Sequence, residues 1–188
     1  GPGIFTAPDP PDYPADYRTP AGNALANFFG VIGLPTGMVS RIGYTSSGLG
    51  HLQPFGEWSS TVAANIEKFA EVVIEPTVSY ASADSLVTVN VDVTTTQGLA
   101  SKVTYTVMIL ENNIVSPQLM PDDSRDSAYV HKHVLRETFT APLGDDLTSG
   151  ASTAGTLISK QISGTVKKSQ LNLAECDVLV YVSNADTY

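Results

Sequence analysis

Leu86-Val87-Thr88-Val89-Asn90-Val91-Asp92-Val93-Thr94 places four valines on alternate positions, with Thr, Asn and Asp between them. Successive side chains of an extended chain point to opposite faces, so the valines share one face and the polar residues the other. β-branched valine also fits a pleated, half-buried surface well. The segment therefore reads as a strand that is dry on one side and wet on the other. Just before it, Ser82-Ala83-Asp84-Ser85 supplies the short polar residues of a tight hairpin turn, and Val78 to Ala81 reads as the strand leading in.

The period of two recurs downstream. Val103-Thr104-Tyr105-Thr106-Val107-Met108-Ile109-Leu110 is a third strand, Ala128 to Phe139 a fourth, Leu157 to Val166 a fifth and Asp177 to Ser183 a sixth. Six or seven short strands at this spacing predict an all-β antiparallel sandwich of about 110 residues, in the immunoglobulin-like size class.

Upstream of Glu75-Pro76 the texture is different. Ala7-Pro8-Asp9-Pro10-Pro11-Asp12-Tyr13-Pro14 carries four prolines in eight positions, which excludes helix and central strand there. Thr19 then fits an N-cap with Pro20 at the first helical position, and Leu25, Phe28, Phe29 and Ile32 form one apolar stripe, with Gly30 and Gly33 as stop signals. Pro35 marks a turn into a short strand through Ile42, and residues 43–56 read as a Gly- and Ser-rich loop. Trp58, Val62, Ile66, Phe69 and Val73 recur every three or four residues and predict a second helix, with Glu57, Glu67, Lys68 and Glu71 on its other face. The chain thus divides into an α+β portion at 1–74 and a β-sandwich at 75–188.

Composition narrows the function classes. The 188 residues are 42% hydrophobic, enough to bury a core, but only 15% charged. Eighteen Ser and nineteen Thr fill much of the polar quota. A formal charge of −9 argues against nucleic acid as a partner, because a binder needs a basic face to displace counterions from phosphates. No apolar run approaches the length of a membrane-spanning helix. One Cys excludes an intrachain disulfide and a Cys-pair metal site. Gly1-Pro2-Gly3 opens without Met, signal peptide or lipobox, so the chain reads as processed or as part of a longer protein, with any localisation signal outside it.

Four segments carry a resemblance. Gly3-Ile4-Phe5-Thr6, Leu34-Pro35-Thr36-Gly37-Met38-Val39-Ser40-Arg41, Leu110-Glu111-Asn112-Asn113-Ile114-Val115-Ser116-Pro117-Gln118 and Tyr129-Val130-His131-Lys132-His133-Val134-Leu135-Arg136 resemble, in this order, motifs of the Bacteroidetes outer-membrane family typified by the twenty-eight-kilodalton outer membrane protein. The resemblance implies an incomplete thioredoxin-like portion joined to the sandwich. It implies an exported envelope protein of a Gram-negative bacterium, in the outer membrane or periplasm. Such proteins are often lipoproteins, here with any lipid anchor upstream. The implied role is that of a non-catalytic adhesin or receptor, with a host or envelope protein or a glycan as partner. An envelope thiol–disulfide oxidoreductase is the alternative; its Cys-x-x-Cys would lie upstream of residue 1. In thioredoxin-like folds a cis-proline loop offers backbone atoms to an extended peptide, which makes Pro35 the candidate peptide contact.

Read without the resemblance, the side chains offer no catalytic constellation and call for no cofactor. Cys176 stands between Glu175 and Asp177, whose charge opposes thiolate formation, so it reads as a small buried hydrophobe. His131 and His133, two apart on one strand, would share a face and could hold a zinc-like ion if a third ligand approached. Asp122, Asp123 and Asp126 offer oxygen ligands but lack the order of a calcium loop, and with Asp145-Asp146 they read as solvated acidic turns. Phe28, Phe29 and Trp58 belong to helix core faces by their spacing. Tyr13 and Tyr17, in the proline-rich loop, are the more credible contact residues.

Overall fold

A computed structural model describes residues 6–43 and 50–187. Gly3 to Phe5 of the first family motif, and the 44–49 part of the Gly- and Ser-rich stretch, lie outside the described residues.

The valine strand, β4 (Leu86–Thr95), is the centre of a three-stranded antiparallel sheet. Its neighbours are β3 (Val72–Ala81), joined through the 82–85 turn, and β12 (Leu157–Thr165). Val87, Val89, Val91 and Val93 are buried, and Asn90 and Asp92 are exposed, as the alternation requires. The wet face is a polar ladder: Gln161 Nε2 donates to Asn90 Oδ1 at 2.6 Å, and Thr88 and Ser163 hydroxyls meet at 2.8 Å.

The second sheet centres on β5 (Val103–Glu111), which is buried on both faces along nearly its whole length. β13 (Cys176–Asn184) runs antiparallel along one side of it in unbroken register. β10 (Val134–Thr138) and β11 (Asp145–Asp146) share the other side. Val103, Tyr105, Val107 and Ile109 of β5 meet the β4 valines in one core, closed by Leu99, Leu147 and Val166. Two antiparallel sheets packed over a shared apolar layer form the expected sandwich. Gly164 of β12 leaves room for the Phe139 ring; a Cβ there would lie 2.3 Å from Cδ1.

The predicted fourth strand is broken. Val130–His131 (β9) pairs with Ile114–Val115 (β6), and β10 starts only at Val134. His133 between them takes φ +54°, so the chain turns where the sequence reads straight. A second small hairpin, Gln118–Leu119 (β7) with Arg125–Asp126 (β8), completes an arm that leaves the sandwich after β5 and returns into β10. A bulge between Leu135 and Glu137 lies beside Arg136, whose guanidinium sits 3.1 Å from the buried Glu111 carboxylate.

Before the sandwich come α1 (Pro20–Phe28), a two-residue pairing of β1 (Thr36–Gly37) with β2 (Gln53–Pro54), and α2 (Trp58–Ile66). The Thr19 cap holds as expected: its Oγ1 accepts from Gly22 N at 3.0 Å. Trp58 packs on Gly37 and donates to Gln53 O at 3.0 Å. Three expectations fail here. The strand after Pro35 ends at Gly37 instead of running through Ile42. α2 stops at Ile66, so Phe69 follows the helix and Val73 belongs to β3. Each apolar helix stripe is buried only in part: Leu25, Phe29 and Trp58 are half-buried, whereas Ile32 is 89% exposed, Ile66 78% and Phe69 97%. Helical spacing aligns side chains on one face, but burial needs an opposing layer, and among the described residues none covers these.

Candidate functional site

The proline-rich segment is an extended strap. From Tyr13 to Thr19 its residues alternate between half-buried and exposed: Tyr13, Ala15, Tyr17 and Thr19 turn inward, and Pro14, Asp16 and Arg18 turn out. Proline excludes helix but is compatible with this extended geometry. On the outer side Arg18 grips Asp16 through Nε at 2.9 Å and Nη2 at 2.7 Å, and these hydrogen bonds hold the Asp16 carboxyl down at about 2.

The strap lies against the arm. Arg125 of β8 donates to Asp12 O at 2.7 Å and sets its guanidinium 5.6 Å from the Tyr13 ring centroid. Farther along, the Tyr17 hydroxyl donates to Ser116 Oγ at 2.7 Å, and Ser116 Oγ lies 3.1 Å from His131 Nε2. The β6–β9 pairing brings Ser116 and His131 together: Ile114 faces His131, and Ser116 N donates to Tyr129 O at 3.0 Å two steps on. The His131 ring packs between Tyr17, at 5.5 Å, and Tyr129, at 4.8 Å.

Between strap and arm is a cleft of about 420 Å³. Tyr13, Tyr17, Leu34, Ser116, Leu119 and His131 are among its walls, so an apolar and aromatic surface surrounds a few polar atoms. A smaller cavity of about 220 Å³ shares Thr6, Tyr17 and Val134, which makes Tyr17 a partition between the two.

The structure separates most of the residues singled out by sequence. His131 lines the cleft, whereas His133 is exposed beyond the backbone turn, so the two do not share a strand face. Asp122 accepts from the Ser124 hydroxyl and amide, which lowers its carboxyl below the usual range, and Asp126 accepts from Ala128 N. Both are exposed turn caps. Asp123, also exposed, takes φ +63°. Asp146 pairs with Lys102 at 2.6 Å, and Asp145 accepts from Ala141 N. Among the described residues, no three His, Cys, Asp or Glu side chains converge as a metal site would require. Pro35 follows a cis peptide bond and is exposed; its neighbour Leu34 reaches the cleft. Burial pushes the Cys176 thiol up, with Glu111 adding to the effect, and its Sγ faces Asn172 O at 3.3 Å. Phe28 is half exposed, and Phe29 meets His51 edge to face and lies under the Arg41 guanidinium.

Of the cleft residues, Tyr13 and Tyr17 were legible as contact residues. Ser116 and Leu119 were not, because only the return of the arm brings them to the strap, nor was Leu34, which reaches the cleft from the turn before Pro35. The one missed signal is the Tyr13-x-Ala15-x-Tyr17-x-Thr19 alternation, which the surrounding prolines mask.

The family model described as outer membrane protein Omp28 matches residues 22–188, nearly the whole chain. No curated protein matches the chain, and no solved structure does. The matched region contains both sheets and the arm, including Ser116 and His131; the strap with Tyr13 and Tyr17 precedes it.

Proposed function

From the membership of this chain in the Omp28 outer membrane protein family, which associates it with the cell envelope, we propose that it is a non-catalytic binding module. Its ligand, a segment of a host or envelope protein or a glycan, seats in the cleft between strap and arm. The reading keeps two units, an incomplete thioredoxin-like portion at 1–74 and an immunoglobulin-like sandwich at 75–188, with the cleft formed where strap and arm meet.

The observation that carries this reading is the cleft itself: about 420 Å³, walled by Tyr13, Tyr17 and His131, with the Ser116 hydroxyl held in place from both sides. Aromatic rings offer flat apolar faces to sugars or side chains, and the fixed hydroxyls orient them. Ser116 and His131 resemble a nucleophile and its base, but a catalytic pair also needs an orienting group on the far imidazole nitrogen and donors for an oxyanion. Among the described residues no carboxylate bonds His131 Nδ1, and the Ser116 amide is engaged with Tyr129 O. The pair therefore positions groups for binding.

A panel of glycans and matrix proteins tests the reading, with calorimetry on any hit. Tyr17→Phe leaves the ring and removes the donor to Ser116; it is expected to weaken binding about tenfold, the effect of one well-placed hydrogen bond, with the melting curve little changed. No binding anywhere, together with measurable turnover of an ester or peptide, would overturn it.

A further inference from the structure

Four long-sheet edges are open among the described residues: β3 and β12 in one sheet, β10 and β13 in the other. An open edge presents unpaired N–H and C=O groups that template another strand, and protein edges usually carry a device against this. Hydrogen bonds just beyond each pairing show which residues point outward, because bonded pairs alternate in an antiparallel ladder.

In β3, Thr96 N donates to Glu71 O at 2.9 Å, so odd residues bond β4 and even residues face out. Pro76 is even and removes a donor from the middle of that outward row. In β12, the charged Lys160 stands opposite Val91, on the core-facing side, half-buried. β10 is five residues long and bulged beside Arg136. Each of these three edges carries a recognised obstacle.

β13 has no proline, bulge or inward charge through Val178-Leu179-Val180-Tyr181-Val182; Arg41 covers its outer face at one point, donating to the Tyr181 hydroxyl with its guanidinium 4.7 Å from that ring centroid. Ala185 N donates to Lys102 O and Asn112 N to Glu175 O, both at 2.9 Å, so odd residues bond β5. Val178, Val180 and Val182 turn their N–H and C=O groups to the open side, and no bond from a described residue reaches them. Val78, opposite buried Val89 and so on the core-facing side of β3, is 50% exposed, so the apolar layer is only partly covered along this rim, where β3 and β13 approach each other.

We propose that the β13 edge is a homotypic interface, to which a second copy of this chain adds its own β13 antiparallel about Val180. The sequence of the strand fits itself in this register. Val180 meets Val180, Val178 meets Val182, and Leu179 meets Tyr181, all apolar pairs. Asp177, the single charged residue of β13, falls opposite Ser183, so no like charges within the strand pair meet; Arg41, on the outer face at Tyr181, must turn aside from its counterpart. Even residues meet even residues, so every outward donor finds an acceptor. The contact is isologous, as a two-fold dimer requires, and it joins two sheets into one. The other edges fail this test: β3 about its midpoint places Pro76 in the pairing, and β12 about Gln161 drives Lys160 against Ile162.

Sedimentation of the full chain from low to high micromolar concentration tests the proposal. The wild type is expected to sediment as a concentration-dependent dimer. Val180→Pro gives β13 the device that β3 has, at an N–H outside the β5 ladder; it should weaken the dimer at least about tenfold while circular dichroism keeps the strand signal. Tyr181→Pro, which removes a ladder donor, should lose the fold instead. Val180→Lys is the second variant: the half-buried, core-facing position takes a lysine as position 160 of β12 does, and the self-pair sets two ammonium groups against each other, so its dimer should be weak and recover as salt rises. A wild-type chain that stays monomeric throughout, including one that takes up only a foreign strand, overturns the proposal. So does a dimer that folded Val180→Pro or Val180→Lys leaves intact.

Discussion

The valines of β4 and the apolar stripe of α2 are equally regular and meet opposite fates. Val89, Val91 and Val93 have no exposed surface, whereas Ile66 at the end of α2 and Phe69 just past it stand largely in solvent. Both patterns align side chains on one face. The difference lies in what faces them: the β4 valines meet the inner face of β5, a strand apolar on that side throughout, and α2 meets no such layer among the described residues. Periodicity specifies a face; a partner layer decides whether that face stabilises the fold.

Truncations should separate the two regions sharply. Val91→Ala or Val107→Ala removes two methyl groups from a site without room to relax, and is expected to cost about 2–3 kcal/mol in urea unfolding. A loss below about half a unit would mean that the two sheets do not share a tight core. Gly164→Ala should come next, at about 1–2 kcal/mol, because the new Cβ displaces the Phe139 ring; an unchanged midpoint would show that the ring swings away freely.

The pH dependence of Cys176 tests the rim of the core. Burial and Glu111 raise its thiol, so the folded chain keeps the proton where the unfolded chain loses it. The stability linked to this neutral thiol is intact below the ordinary thiol range and is lost as pH climbs through it. Iodoacetamide should therefore modify the native chain several-fold more slowly than the urea-unfolded chain at mildly alkaline pH; equal rates would place the sulfur in open water. The smallest effect belongs to the first region. Phe69→Ser, at 97% exposure, should change stability by less than about 0.5 kcal/mol. A large destabilisation would reveal that a layer covers the apolar spacing where it continues past α2 and would erase the contrast.

Four strands were legible to within a residue or so, β4, β5, β12 and β13, because alternation and a buried face agree there. The strand predicted over Ala128 to Phe139 was not, since nothing in Val130-His131-Lys132-His133-Val134 announces a positive φ at His133. That turn is what sends His131 into the cleft and His133 away from it. α2 was overextended because Phe69 and Val73 continue its spacing, while the pairing of Val72 and Val73 with Thr95 and Thr94 claims that stretch for β3. The cleft was half legible: aromatic residues in a proline-rich segment marked one wall, and the other comes from residues a hundred positions later.

By itself, the sequence determined the sandwich, its dry and wet faces, the capped start of α1 and the resemblance that the family match bears out, because each rests on neighbours within a few residues. Only the tertiary structure decided that Tyr17, Ser116 and His131 meet, that much of the helix stripes is left exposed among the described residues, and that β13 ends its sheet there without a pairing strand. Those depend on which surfaces long-range pairing brings together and which it leaves open, and local spacing carries no record of either.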